Sequence, residues 1–254
     1  MSKAKRSLLF SLFTLIMAVA ITATSTYAWF VVNKEVTASN MQVTVKSDTT
    51  YLVISSASTT VTSGALNSTD TTLSVTASSA EVLPVRYNEG ATPASGNTKW
   101  ETASGTSYTN GAALNSTYTP VTTANASKYY VLYTFYVGLT ETTAQAATNL
   151  RVKEMAVTKA ANDTDETMKG AVSALVTCHT GSDAATEVDY EDIDSINAAG
   201  YSAKGNLAAT VALNTVYEIN VYVYMDGDHS SIKSENGAKL GSFKLSITFE
   251  VTAA

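Results

Sequence analysis

The sequence predicts an all-β protein, an antiparallel β-sandwich or jelly-roll-like domain preceded by an apolar N-terminal helix. Three observations lead there. Apolar and polar residues alternate with a period of two along several segments, which sends neighbouring side chains to opposite faces of a strand. Thr, Val and Tyr, with 14 of the last, suit a pleated and half-buried surface. Gly, at 13, and Pro, at 3, are too few for a collagen-like or Pro-rich stalk.

The N-terminal segment comes first. Lys3, Lys5 and Arg6 precede an apolar run from Leu8 to Ile21, followed by small and polar residues to Thr26. That order is the anatomy of a secretory signal peptide. The run is shorter than the ~20 residues that cross the ~30 Å core of a bilayer. Thr26 and Ala28 occupy positions −3 and −1 of a cut between Ala28 and Trp29. This divides the chain into a leader, 1–28, and a single β-domain, 29–254, with a long excursion at about 90–125. The other reading of the leader is an uncut signal anchor. In both, positive charge before the run keeps the N-terminus inside and the body outside.

Three strand signals stand out in the body. Phe243, Leu245, Ile247, Phe249 and Val251 share one face, and Lys244, Ser246, Thr248 and Glu250 the other. Tyr217, Ile219, Val221, Val223 and Met225 oppose Glu218, Asn220, Tyr222 and Tyr224. Tyr129, Val131, Tyr133, Phe135 and Val137 oppose Tyr130, Leu132, Thr134 and Tyr136. Both faces of this last segment are apolar or aromatic, which places it inside a sheet. Further strands are expected at 29–36, 41–46, 51–55, 73–76, 82–87, 150–157, 172–178 and 207–213. Residues 90–125, rich in Gly, Ser, Thr and Asn, read as a long loop or an irregular hairpin. Residues 187–199 are acidic, with Val188, Ile193 and Ile196 at helical spacing, and predict a short surface helix.

The chemistry expected of these residues is sparse. Net charge is −6, and loss of the leader leaves 13 cations against 22 carboxylates. Such a surface disfavours nucleic acid and anionic membranes as partners. One cysteine, Cys178, allows no intrachain disulfide, and its apolar neighbours predict a buried thiol. Two histidines, His179 and His229, lie outside any zinc, phosphate-loop or nucleophile-elbow motif, so no catalytic residue is expected. Acidic clusters at 162–166, 189–194 and 226–228 offer oxygen ligands. A structural calcium ion is the one cofactor considered, with Asp163, Asp165 and Glu166 as its candidate ligands. No sorting signal or second apolar segment follows the last strand, so the expectation is that only an uncut leader would tie the chain to a membrane.

The junction Thr26-Tyr27-Ala28-Trp29-Phe30 resembles the leader boundary of the TasA/camelysin-like secreted proteins of Gram-positive bacteria. The turn and strand at 36–43, and the segments 221–228 and 243–251, resemble parts of related secreted proteins. The resemblance implies a jelly-roll-like domain and a biofilm-matrix fibre subunit. It also implies a donor strand made of Trp29, Phe30, Val31, Val32 and on to Val36, which enters the sheet of the next subunit. The metalloprotease activity described for camelysin is not carried over, because no zinc site is recognisable. The functional expectation is therefore a secreted structural protein, outside the cell or on its surface, that polymerises head to tail with itself. Other matrix or surface proteins are further partners to consider. The alternative is a membrane-tethered, adhesin-like module for glycan or protein. Tyr130, Tyr136, Tyr222 and Tyr224 would serve it if their face is open, and would not if they pack on the second layer of the sandwich.

Overall fold

The structure is a computed structural model that describes residues 36–38, 42–47, 52–56, 72–76, 80–104, 117–139, 146–159, 168–232 and 243–253. The leader with its expected helix and its Ala28–Trp29 junction lies outside these residues. So do Trp29, Phe30, Val31 and Val32 of the donor, and Asp163, Asp165 and Glu166 of the calcium candidate.

The described chain is mostly strand, with almost no helix. In order these are β1 (Val36–Ala38), β2 (Gln42–Ser47), β3 (Leu52–Ser55), β4 (Thr72–Thr76), β5 (Ala80–Val82), β6 (Arg86–Tyr87), β7 (Asn97–Ser104) and β8 (Thr117–Thr122). There follow β9 (Tyr130–Leu139), β10 (Ala147–Lys159), β11 (Val172–His179), β12 (Thr186–Tyr190), one short helix α1 (Ala198–Ala203), β13 (Ala208–Val211), β14 (Tyr217–Met225) and β15 (Phe243–Ala253). Two five-stranded sheets dominate, with orders β13-β10-β15-β2-β4 and β12-β11-β14-β9-β3. The ladders are antiparallel except for β15 and β2, which run parallel with Leu245 opposite Val43.

The two sheets share one core, which makes the body a β-sandwich. Leu245, Ile247 and Phe249 of β15 and Val152 and Met155 of β10 meet Phe135 of β9, Ile219 and Val221 of β14, and Val176 of β11. All are buried. The alternating residues of β15, β14 and β9 read from the sequence are the ones that face inward, except Tyr129, which precedes β9 and packs on a second, smaller buried cluster. At ~25 cal/mol per Å² of apolar area removed from water, this interior is the main stabilising contribution. β10 carries a bulge between Thr148 and Arg151, where Asn149 takes φ 56°, a left-handed conformation that Asn tolerates. Asn206 Nδ2 donates to Asn149 Oδ1 at 2.9 Å and ties the bulge to the chain entering β13.

The acidic segment after β11 departs from its expected helix. Its first part is β12, whose Val188, Asp189 and Tyr190 are all buried. A 3-10 turn at Ile193–Ser195 follows, and only then α1. The Asn197 side chain caps α1 by accepting from the Gly200 N–H at 3.0 Å. Tyr201 pins the helix to the core, its hydroxyl 3.0 Å from the Met155 carbonyl and 2.9 Å from that of Ile193.

Two smaller sheets complete the fold. β1 and β5 form a two-stranded antiparallel ribbon, and β6, β7 and β8 form a three-stranded sheet. The excursion at 90–125 therefore contains a hairpin, β7 with β8. The chain between β5 and β6 is anchored on the end of β14. Val85 N–H donates to the Met225 carbonyl at 2.9 Å, and Gly227 N–H returns to the Val85 carbonyl at 3.0 Å.

Candidate functional site

The three-stranded sheet lies on the outer face of β9, β14 and β11. Register places Tyr224 beside Tyr130 and Ser173, and Tyr222 beside Leu132 and Leu175. Side chains at these positions point away from the sandwich core. Trp100 of β7 comes down on them, with ring centroids 4.8 Å from Tyr224, 5.4 Å from Tyr130 and 6.4 Å from Tyr222. Tyr87 of β6 packs edge-on against the same indole at 4.8 Å, and Tyr130 meets Tyr222 edge-on at 4.8 Å. Edge-to-face pairs suit the ring quadrupole and contribute ~0.5–1.5 kcal/mol each beyond area burial. Tyr224 is 1% exposed and Trp100 5%. The tyrosine face is thus covered, but by this cap and not by the second layer of the sandwich. Tyr136 lies apart from the cap, against Val53 and Val216.

Polar side chains brace the cap internally and hold its seam with the sandwich. Arg86 places Nε and Nη2 on Glu101 Oε2 at 2.8 and 2.6 Å, and Asn88 donates to the other oxygen at 3.1 Å. The Arg86 guanidinium stacks 3.1 Å from the Tyr118 ring centroid. Tyr118 in turn donates to Asp228 at 2.9 Å. Burial opposes the Arg86 charge, but the Glu101 hydrogen bond and the neighbouring Asp228 more than offset it and raise its pKa. On the other side, Tyr87 donates to Glu187 at 2.6 Å and Lys99 meets the same oxygen at 2.5 Å. Burial raises the Glu187 carboxyl, yet these two donors bring it below the usual carboxylate range.

Between cap and sandwich lies a cleft of about 290 Å³, with Arg86, Glu89, Asp189, Glu191, Lys204 and Asp228 among its lining residues. The structure therefore brings together two of the three acidic clusters seen in the sequence, 189–194 and 226–228. Both Asp189 oxygens lie 3.0 Å from the Tyr224 hydroxyl. Burial pushes the Asp189 carboxyl up to about 7, against the Tyr224 hydrogen bond, and Glu191 and Asp226 add to the rise. Burial likewise raises Asp226 to about 6, with Asp228, Glu191 and Asp192 contributing. Among the described residues no group of three or more His, Cys, Asp or Glu side chains is placed to hold a metal ion.

The remaining candidates are dispersed. Cys178 is buried in the core, and burial pushes its thiol up to about 12, far from a reactive thiolate. His179 Nε2 lies 3.2 Å from Glu218 Oε1, and His229 Nδ1 lies 2.7 Å from Ser231 Oγ. The His229 ring rests on Gly170, where a Cβ would stand 3.0 Å from Nε2. Val36, the last residue of the expected donor, opens β1 opposite Val82 of β5. No helix of the described residues is long and apolar enough to cross a membrane. Sequence reasoning missed Trp100, Glu101 and Asp189 as structural anchors. The one available signal was Trp100 itself, a tryptophan in a polar stretch. No family model matches the chain, and neither a curated protein nor a solved structure matches it.

Proposed function

We propose that the chain is a secreted structural protein, a TasA/camelysin-like fibre subunit of an extracellular or biofilm matrix that polymerises by β-strand addition. The observation that carries this reading is β1. Val36, where the expected donor ends, opens a strand, and its partner is an edge outside both large sheets. Strand addition needs only such an edge and an extended segment, because unpaired backbone N–H and C=O groups supply the contact. The chain crosses between the two sheets from β9 to β10, β10 to β11, β12 to β13, β13 to β14 and β14 to β15, which supports a jelly-roll-like winding. The adhesin-like alternative drew on an open tyrosine face. Trp100 covering Tyr130, Tyr222 and Tyr224 removes most of that surface.

The test is a chain lacking residues 29–36, secreted by the native host and viewed by negative-stain microscopy. The expected outcome is a folded domain with a normal thermal transition and no filaments. Filaments at normal yield would overturn the donor-strand reading.

A further inference from the structure

We propose that the seam between cap and sandwich is a pH-sensitive latch. It is closed while the Asp189 carboxyl keeps its proton, and once that proton is lost the cap lifts more readily from the tyrosine face. The geometry puts a buried carboxyl at the foot of the cap's main contact. Asp189 is 9% exposed and stands opposite Leu175 in the β11–β12 ladder. Both its oxygens lie 3.0 Å from the Tyr224 hydroxyl, and the Tyr224 ring is 4.8 Å from the Trp100 indole. One hydroxyl has one proton to give. An ionised Asp189 would keep two buried oxygens on that single donor, a costly arrangement that protonation relieves.

Charges on both walls of the cleft add to this. Glu191 follows β12 on the sandwich side, Glu89 faces the cleft from the cap, and Asp228 completes the acidic lining. Glu187 of β12 is already held by Lys99 and Tyr87, and Arg86 is taken up by Glu101 and Tyr118. Lys204, just past α1, is the cation that attracts Asp189, and it does not outweigh burial. Asp226 lies at the root of the cap, where it bridges Val85 just before β6. Burial raises it to about 6, with Asp228, Glu191 and Asp192 adding to the rise. Ionising either carboxyl therefore charges a seam whose two walls already carry like charge.

The direction follows from linkage. A lifted cap returns Asp189 to water, where such a carboxyl ionises at ~3.9. Opening then grows about tenfold per pH unit above that value and levels off beyond about 7. Glu187 works the other way. Burial raises it, but Lys99 and Tyr87 more than offset this, so its clamp is lost only as pH falls through its lowered value. The cap is thus tightest at mildly acid pH, whether or not the chain polymerises.

Native-state thiol labelling tests this in chains purified from the native host. Val121→Cys places a thiol in the buried cluster that holds Trp100 and Tyr224. Cys178, in the sandwich core, reports unfolding of the whole domain in the same molecule. Rates at each pH are corrected for thiolate content with the urea-unfolded chain. The V121C thiol is expected to label on the order of a hundredfold faster at pH 8 than at pH 5, and at pH 8 at least tenfold faster than Cys178. Adding Asp189→Asn should hold the rise below tenfold. Adding Tyr224→Phe removes a donor that lowers the Asp189 value, so the midpoint should move to higher pH. A flat rate, equal rates for the two thiols, or the full rise with Asp189→Asn would overturn the latch. Should Asp189→Asn fail to fold, the Tyr224→Phe profile decides, and an unmoved midpoint overturns it.

Discussion

The cap and the ribbon are both small additions to the same sandwich, and they are built in opposite ways. The cap, β6 to β8, is joined by an indole packed among four tyrosines and by Arg86 and Tyr118 reaching Asp228 and Lys99 and Tyr87 reaching Glu187. The ribbon strand β1 is joined through three backbone pairs to one partner. Buried aromatic area and charge-assisted hydrogen bonds make the first attachment durable. The second has no comparable sheet around it. Covering the tyrosine face takes a whole sheet with a buried indole at its centre.

Removing the cap's anchor is the largest perturbation. Trp100→Ala should destabilise the domain by about 3–5 kcal/mol, the usual cost of deleting a buried indole. It should also expose the rings of Tyr130, Tyr222 and Tyr224, read by thermal melting and near-UV dichroism. Loss under 1 kcal/mol would mean that the indole does not anchor the cap.

The next effect is one of pH. The Asp189 carboxyl stands near 7 in the folded state and Asp226 near 6, each raised first by burial. Between the unfolded carboxylate pKa and these values, the folded chain binds more protons than the unfolded one, so stability falls as pH rises through that window. Asp189 alone accounts for a loss on the order of 2–3 kcal/mol from pH 5 to pH 8. Asp189→Asn keeps an acceptor for the Tyr224 hydroxyl and removes the charge. It should flatten most of this slope and stabilise the domain at pH 8, measured by urea unfolding at the two pH values. An unchanged slope would place the titration elsewhere.

The smallest effect belongs to the ribbon. Thr37→Pro suits a ladder poorly. It should cost the isolated subunit about 1 kcal/mol, the usual size of a point substitution, while abolishing filaments. A larger loss of stability would show β1 to be part of the cooperative domain.

Much of the sandwich was legible in the sequence because its strands obey one rule. β9, β14 and β15 each present an unbroken inward series, such as Phe243 to Val251. The cap was not legible because β7 breaks that rule. The register shift between Asn97 and Glu101 leaves consecutive residues, Trp100 and Glu101, both buried, so the period of two disappears. Pro120 in β8 and the small polar residues around it left the stretch readable only as a long loop or an irregular hairpin, and the hairpin is what forms. β12 failed for a related reason. Val188 and Tyr190 face the main core while Asp189 faces the cleft, so the strand is buried on both sides and its carboxylates suggested a wet helix. The cleft was invisible because its acidic residues come from segments that only the third dimension joins, as with Asp189 and Asp228.

The most direct test of the fibre account is intact mass and N-terminal sequencing of the protein from its native host, with negative-stain microscopy of the same material. The account predicts a mature chain that starts at or near Trp29 and is recovered as filaments. A chain that starts at Met1, sits in the membrane fraction and forms no filaments would contradict it.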